Sequence, residues 1–224
     1  MWDWDYARAI LPKLLEAIPV AALAAVAGFA VAALLGLPLA LAKRSGRRWI
    51  SLPVTAAAEF VRSTPLLVQL FVLVFVLPQT FGISLPPLWA GVLGLGIHYS
   101  TYLSEVYRSG IEAVPKGQWE AAVSLNFGRW RTWTGIVLPQ SVPPTIPVMG
   151  NYLITMFKET PLLSAITVVE LLMTAKIEGS ASFRYVEAFT GVGVLFLALS
   201  YPSSLLVRML EKRLRRRERR TTMQ

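Results

Sequence analysis

The chain has 224 residues, of which 54% are hydrophobic and only 16% are charged, and its formal net charge is +9. Because a soluble domain usually carries about 25% charged residues, this composition excludes an ordinary soluble protein and favours one membrane domain. The absence of cysteine from the sequence excludes disulfides, thiolate nucleophiles and cysteine-ligated zinc.

The first predicted membrane span is 17–42, a stretch of 26 residues without a charged side chain. It is rich in alanine and glycine and is followed by the basic stretch 43–48. Since about 20 apolar residues suffice to cross the roughly 30 Å hydrocarbon core, this stretch is long enough for one helix.

The second and third spans come from a longer uncharged stretch. Residues 63–104 comprise 42 residues without a charged side chain, about twice the length that one span needs. We predict spans at 59–77 and 89–108, joined by a turn at 78–87 that contains three prolines and a glycine.

The fourth predicted span, 140–158, follows the polar stretch 109–131 and is rich in proline. Because each proline removes a backbone donor, and Pro143-Pro144 fits poorly into a straight helix, we expect the regular helix to begin near Pro147. The next apolar stretch, 162–173, is too short to cross and is predicted to be one buried or re-entrant helix on the outer side.

The fifth predicted span is 187–208, and eight of the 22 lysine and arginine residues lie in 208–220 at its end. Basic residues in this position are typical of a cytoplasmic anchor at an anionic membrane surface. We therefore predict that 212–220 contacts membrane lipids, and we expect no nucleic acid among the partners.

Five spans place the two ends of the chain on opposite sides of the membrane. With the C-terminus inside, 17 of the 22 basic residues fall on the inner side and five on the outer side. This asymmetry obeys the positive-inside rule, whereas four or six spans would leave a basic cluster outside. The sequence therefore predicts an all-α integral membrane protein, a single domain over 1–224, with its N-terminus outside and its C-terminus inside.

The cytoplasmic segment 115–133 is predicted to contain a short helix that begins at Pro115 and stops at Gly128. Its Glu120-Ala121-Ala122 stretch offers small residues for close contact with another surface. Its aromatic residues are Trp119, Phe127, Trp130 and Trp133. The pattern allows two interpretations, a helix that lies on lipid head groups or a helix that docks into a soluble partner.

The Glu120-Ala121-Ala122 stretch, followed by Gly128 and by 136–139, resembles the EAA loop of ABC importer permeases. Further stretches in the same order resemble the polar amino-acid branch of that family, and together they cover nearly the whole chain. They are 61–70, 102–111, 116–122, 138–140 and 151–160.

The resemblance implies a type I ABC importer permease fold in a bacterial inner membrane. It assigns coupling to ATP hydrolysis to Glu120, Ala121, Ala122 and Gly128, with hydrolysis itself performed by separate ABC ATPase subunits. The other expected partners are a second permease subunit, identical or different, and a solute-binding protein outside. The chain itself is expected to hold no catalytic residue, metal or cofactor, since the ATPase would bind ATP and magnesium.

Within this branch the chain is most similar to permeases for ectoine and hydroxyectoine, on the basis of 150–153, Glu159-Thr160-Pro161 and 161–168. We therefore expect import of a polar amino acid or a related zwitterionic solute, with ectoine or hydroxyectoine favoured. The alternatives are a permease for another polar amino acid and a stand-alone carrier.

Charged residues within a membrane segment are costly and therefore point to function. Glu159, near the outer end of the fourth span, either pairs with Lys158 or the interface, or faces a central cavity and binds a cationic nitrogen of the solute. The resemblance supports the second interpretation. The predicted solute site also includes Tyr152 and Asn151, about two turns earlier on the same helix, and Thr160. Tyr152 lies seven residues before Glu159 and therefore shares its helix face.

Two further polar residues lie within spans. Thr64, beside Pro65, is a candidate solute ligand, and the alternative is that its hydroxyl bonds to its own helix backbone. His98, the one histidine of the sequence, is expected to make an interhelical hydrogen bond rather than to line the path. With no second histidine and no cysteine, a metal site is not expected.

Two other functional classes lack the residues they need. A membrane enzyme would need a nucleophile, a metal motif or paired carboxylates. A stand-alone carrier would need repeated halves or a relay of buried charges. Because the sequence has no GxxxxGK[ST] phosphate loop, energy must come from another chain.

Overall fold

The computed structural model describes the backbone of residues 2–222 and the side chains of residues 2–214, and within that part it is helical without strands. The α-helices are α1 (Trp4–Lys43), α2 (Arg48–Ser63), α3 (Leu66–Phe71), α4 (Leu77–Phe81), α5 (Pro87–Glu112), α6 (Lys116–Ser124), α7 (Arg129–Thr132), α8 (Leu138–Glu159), α9 (Leu171–Ser182) and α10 (Tyr185–Thr222). Two π-helical segments, Val72–Val76 and Trp133–Val137, and a 3₁₀ helix, Thr160–Ile166, lie between them.

α1 is 40 residues long and begins well before the predicted first span. The Asp3 carboxylate caps it by accepting hydrogen bonds from the backbone amides of Asp5 (2.9 Å) and Tyr6 (3.1 Å). These bonds, chiefly the one from Tyr6, hold the pKa of Asp3 below its usual value. At about 1.5 Å per residue, α1 is about 60 Å long, which is twice the thickness of the hydrocarbon core.

α1 packs along α5, and this pair forms the centre of the bundle. Gly36 permits the close approach, because a Cβ built there would lie 3.1 Å from both the Leu103 Cβ and the Ser100 carbonyl oxygen. The main core joins α1, α3, α5, α8 and the 3₁₀ helix around fully buried side chains such as Leu95 and Met156.

The predicted second span, 59–77, is divided by a sharp bend. α2 meets the helical rod 66–81 at an angle of 101°. Pro65 cannot donate a backbone hydrogen bond, and its ring holds the preceding Thr64 in extended backbone (φ −103°, ψ 139°). The prediction of one helix across 59–77 is therefore wrong. The rod ends at Gly82, whose φ of 68° suits glycine, so the turn before α5 is shorter than predicted.

Helix α6, which is predicted to be cytoplasmic, stops before the predicted position. It ends at Ser124, and Asn126 takes the left-handed conformation (φ 53°) while the Phe127 amide donates to the Ala122 carbonyl (2.9 Å). Gly128 instead precedes α7 in extended backbone. The prediction of Gly128 as the helix stop is wrong, because asparagine also tolerates the left-handed region.

α7, the second π-helical segment and α8 form continuous helix from Arg129 to Glu159. The expected helix start near Pro147 is therefore wrong, since Pro143, Pro144 and Pro147 all lie inside α8. α8 packs against α5 and α10, and neighbouring helices of this kind compensate for backbone bonds that proline removes.

The predicted single helix 162–173 is two elements. The 3₁₀ helix ends at Thr167 (φ 68°), and α9 begins after Glu170, whose side chain is buried. The Glu170 carboxylate accepts hydrogen bonds from the Leu172 and Met173 amides, both at 2.9 Å. An N-cap residue needs extended backbone, and this need divides the apolar stretch.

By length and composition, α1 and α10 are able to span a membrane, and the count rises to four if each of two bent helix pairs counts as one span. α5, the third predicted span, is not among them, because its histidine, tyrosines and serines lower its hydropathy. The five-span count and its orientation stay predictions. The predicted lipid anchor 212–220 lies largely outside the described side chains, which end at residue 214.

Candidate functional site

Glu159 lies where α8 passes into the 3₁₀ helix. Its Oε2 atom is buried and has no hydrogen-bond partner among the described residues. Tyr99 of α5 interacts with this carboxylate, whereas the exposed Lys158 does not pair with it. Because a buried carboxylate with an incomplete set of partners is costly, the arrangement suits the binding of a cation.

Three tyrosines from two helices pack beside Glu159. The ring centroids of Tyr99, Tyr102 and Tyr152 lie 5.7 to 6.0 Å from one another. We call this group the three-tyrosine cluster. It places the predicted site residue Tyr152 next to Tyr99 and therefore close to Glu159. Aromatic faces at this spacing also suit a cationic ligand.

A cavity of about 350 Å³ opens between α2, α5 and α8 on the other side of the three-tyrosine cluster. Its polar lining includes Arg62, Tyr102, Glu105, Thr145 and Tyr152. The volume falls within the roughly 300–1,000 Å³ that small-molecule sites occupy. Thr145, Tyr152 and Glu159 recur every seven residues and share one face of α8, so the cavity, the cluster and Glu159 lie in line.

An ion-pair network reaches this cavity through Arg62 and Glu105. Glu105 lies 2.8 Å from the Lys43 Nζ and 2.7 Å from Arg108. Arg62 pairs with Glu59 of its own helix and lies 4.0 Å from Glu105. The cations of the network are Lys43, Arg44, Arg62 and Arg108, and its carboxylates are Glu59, Glu105 and Glu112.

Thr64 is engaged at the bend between α2 and α3. Its hydroxyl donates to the Val61 carbonyl (3.1 Å) and accepts from the Gln69 amide (2.7 Å). Gln69 also donates to the Val61 carbonyl (2.7 Å), and its Oε1 lies 3.2 Å from His98 Nδ1. The alternative interpretation of Thr64, a hydroxyl bonded to its own helix, is confirmed. The interhelical hydrogen bond predicted for His98 is confirmed as well.

The structure does not bring the two remaining predicted solute ligands into the cluster. Thr160 is fully buried, and its hydroxyl donates to the Phe157 carbonyl (2.8 Å). Asn151 is exposed on a different face of α8 from Tyr152. Tyr152 is the predicted site residue that packs against Tyr99, the tyrosine that interacts with Glu159.

The coupling residues predicted from the sequence lie at one end of the bundle. Glu120, Ala121 and Gly128 are exposed, whereas Ala122 is buried. Trp119 of α6 packs edge-to-face on Trp133, with ring centroids 5.6 Å apart, over a small core from α5 and the second π-helical segment. α6 is therefore attached to the ends of two long helices, while Glu120, Ala121 and Val123 on it stay exposed.

Sequence reasoning missed Tyr99, Tyr102 and Gln69. Tyr99 and Tyr102 are three residues apart beside His98, and polar groups on one face of an uncharged span are a usable sign of the bundle interior. No sequence pattern indicated that Arg62 and Glu105 lie close together, because these residues are distant in sequence and meet only through the bend after α2.

The chain matches the model of a protein family described as binding-protein-dependent transport system inner membrane component, over residues 32–216. It is 45% identical over 223 residues to the probable amino-acid ABC transporter permease protein y4tG of Sinorhizobium fredii, with 96% of each chain covered. It is 31% identical over 209 residues to the arginine transport system permease protein ArtQ of Bacillus subtilis, which covers 92% of this chain and 94% of that one.

A solved structure gives the same result at the level of the fold. The crystal structure of an amino acid ABC transporter with histidines matches with a TM-score of 0.88 at 31% sequence identity. The match covers 95% of this chain and 99% of that chain.

Proposed function

Because the chain belongs to the family of binding-protein-dependent transport system inner membrane components and has the fold of a type I ABC importer permease, we propose that it carries a polar amino acid or a related zwitterionic solute into the cell. It acts as a multi-pass subunit of a bacterial inner membrane. ABC ATPase subunits bind ATP and magnesium and supply the energy, and a solute-binding protein delivers the solute. A second permease subunit, identical or paralogous, completes the pathway.

The observation that carries the solute assignment is the buried, unpaired carboxylate oxygen of Glu159. A cationic nitrogen of the solute would complete its hydrogen bonds, and the neighbouring Tyr99 and Tyr152 would provide aromatic and hydroxyl contacts. Thr160 and Thr64 act indirectly, because their hydroxyls donate hydrogen bonds to backbone carbonyls and hold the local backbone in place.

The relatives support a solute with both a carboxylate and a basic nitrogen. One of them is named for arginine transport, and the similar crystal structure is described with histidines. We infer the same chemical class for this chain. Ectoine and hydroxyectoine belong to that class as cyclic zwitterions, and their support is the local resemblance at 159–161.

The coupling assignment is supported by the surface of α6 and the turn that follows it. Val123, Leu125 and Trp130 expose 65% to 81% of their surface on this side. A groove on the ATPase subunit would bury them together with Glu120 and Ala121. The alternative, insertion of the same side chains among lipid head groups, would leave the ATPase without a contact on this segment.

The proposal is tested by uptake into cells that express the complete transporter, with labelled arginine, histidine, glutamine, ectoine and hydroxyectoine supplied one at a time. We expect ATP-dependent accumulation of at least one of these zwitterions and none of an uncharged sugar. Accumulation of none of the five would overturn the proposal. The relative rates of ectoine and the amino acids decide the narrower solute class.

A further inference from the structure

The cavity beside Arg62 is separated from Glu159 by the three-tyrosine cluster. Tyr102 and Tyr152 belong to both the cluster and the cavity wall, whereas Glu159 lies beyond Tyr99. Tyr152, which lines the cavity, is seven residues before Glu159 on α8, or about 10 Å. The α-amino group and the carboxylate of an amino acid share one carbon, so they are closer together than this separation.

Arg62 is the cation of the ion-pair network that lines the cavity. The Lys43 side chain is 4% exposed and is held by both Ser104 (2.9 Å) and Glu105 (2.8 Å). Arg62 is 21% exposed, and its near partner is Glu59, one turn away on the same helix, whose side chain is 56% exposed.

Two members of the network line the cavity, the cation Arg62 and the carboxylate Glu105. Glu105 is held by Lys43 (2.8 Å) and Arg108 (2.7 Å), whereas Arg62 lies 4.0 Å from Glu105. A guanidinium presents two parallel N–H donors that match the two oxygens of a carboxylate. The hydrogen bonds of Gln69 to the Val61 carbonyl and to Thr64 fix the last turn of α2, from which Arg62 projects.

We propose that this cavity is a second solute site, in which the Arg62 guanidinium binds the carboxylate of the transported amino acid. The proposal rests on the proposed function and adds a chemical requirement to it. Glu159 selects the cationic nitrogen on one side of the three-tyrosine cluster, and Arg62 selects the carboxylate on the other. A solute that lacks either group is disfavoured at one of the two sites.

The absence of cysteine from the chain allows a direct test. Ser109→Cys places its one thiol on the cavity wall. In inside-out vesicles that contain the complete transporter, this thiol is modified with an anionic and with a cationic methanethiosulfonate reagent. Each rate is divided by the rate of the same reagent with a free thiol. We expect at least a threefold preference for the anionic reagent, which Arg62→Gln removes and Arg62→Lys retains.

Arg8→Gln is the matched control, because it removes an exposed positive charge at the far end of the chain. It should leave the reagent preference unchanged. Equal normalised rates in the Ser109→Cys protein, or a preference that survives Arg62→Gln, would overturn the second site.

A second measurement uses the solute itself. An amino acid that the transporter takes up should protect Ser109→Cys from modification, and its decarboxylated amine should need at least tenfold higher concentration. Arg62→Gln should raise the protecting concentration of the amino acid at least tenfold. Equal protection by acid and amine, or uptake without protection, overturns the second site alone. Uptake of none of the five solutes overturns the proposed function and the second site together.

Discussion

Glu159 is the residue on which the solute site depends most. Its buried oxygen has no partner among the described residues, and the nearest cation in sequence, Lys158, is exposed. A buried carboxylate oxygen without a partner destabilises the protein unless a bound cation completes its contacts. Glu159 therefore destabilises the solute-free protein more than the solute-bound protein.

Glu159→Gln should therefore weaken transport while keeping the shape of the side chain. A hydrogen bond to a charged group contributes about 1.5–3 kcal/mol, so uptake at low solute concentration should fall about 10- to 100-fold. Lys158→Gln, which alters the exposed neighbour, should retain normal uptake. Unchanged initial rates in Glu159→Gln cells would remove this residue from the site.

Gln69 is the residue that supports the bend after α2. Its amide serves the Val61 carbonyl and the Thr64 hydroxyl, and its oxygen faces His98. Gln69→Leu removes all three of these interactions, at a cost of about 1–3 kcal/mol. We expect the purified transporter to melt several degrees lower. Gln79→Leu, the same change at an exposed position, should melt like the parent, and equal melting of both variants would contradict the role of Gln69.

At the scale of elements, proline had opposite effects in two places. Pro65 ends α2 at a bend of 101°, whereas three prolines lie inside α8 without ending it. The difference lies in what surrounds them, since Gln69 satisfies the polar groups at the first break, and packing against α5 and α10 holds α8 together. The local sequence predicts neither condition. The lengths of the apolar segments were therefore predictable, whereas the continuity of the helices within them was not.

In the coupling role that we propose, α6 and α7 form the element that transmits motion. Trp119 and Trp133 lock together over Ile111, Val114 and Val137, so α6 moves with the ends of α5 and α8. A displacement of α6 would therefore move α5 and α8, the helices that line the cavity and carry the three-tyrosine cluster.

Glu120→Lys should uncouple transport from ATP hydrolysis. The side chain is exposed on α6, so reversal of its charge alters the docking surface without disturbing the core. We expect normal membrane insertion with uptake reduced at least tenfold. Asp5→Lys reverses a charge at an exposed site in the first turn of α1, far from α6 in the sequence, and should transport normally. Normal uptake by Glu120→Lys would argue against the coupling role of α6.

For the whole molecule, the orientation in the membrane is a prediction from the distribution of basic residues, and the candidate site depends on tertiary packing. Sequence pattern was sufficient for the helical class and the family, and it predicted that Tyr152 and Glu159 share one helix face, because periodicity within one helix is a local property. Tyr99 and Arg62 join the site only through α5 and the α2 bend, which depend on contacts between distant segments.

Single cysteines test the predicted orientation. Ser124→Cys on α6 and Ser182→Cys at the end of α9 are both exposed positions in a chain without cysteine. In intact cells, a membrane-impermeant thiol reagent should label Ser182→Cys and spare Ser124→Cys until the membrane is opened. The reverse pattern would place α6 outside and contradict the coupling role.

The central claim is that this chain conducts a zwitterionic solute only when an ATP-hydrolysing partner drives it. The most direct measurement is solute accumulation in proteoliposomes, with the permease reconstituted alone or with its ATPase and binding protein. We predict accumulation that requires both partners and ATP, and none by the permease alone. Concentrative uptake by the purified permease without ATP would contradict the account.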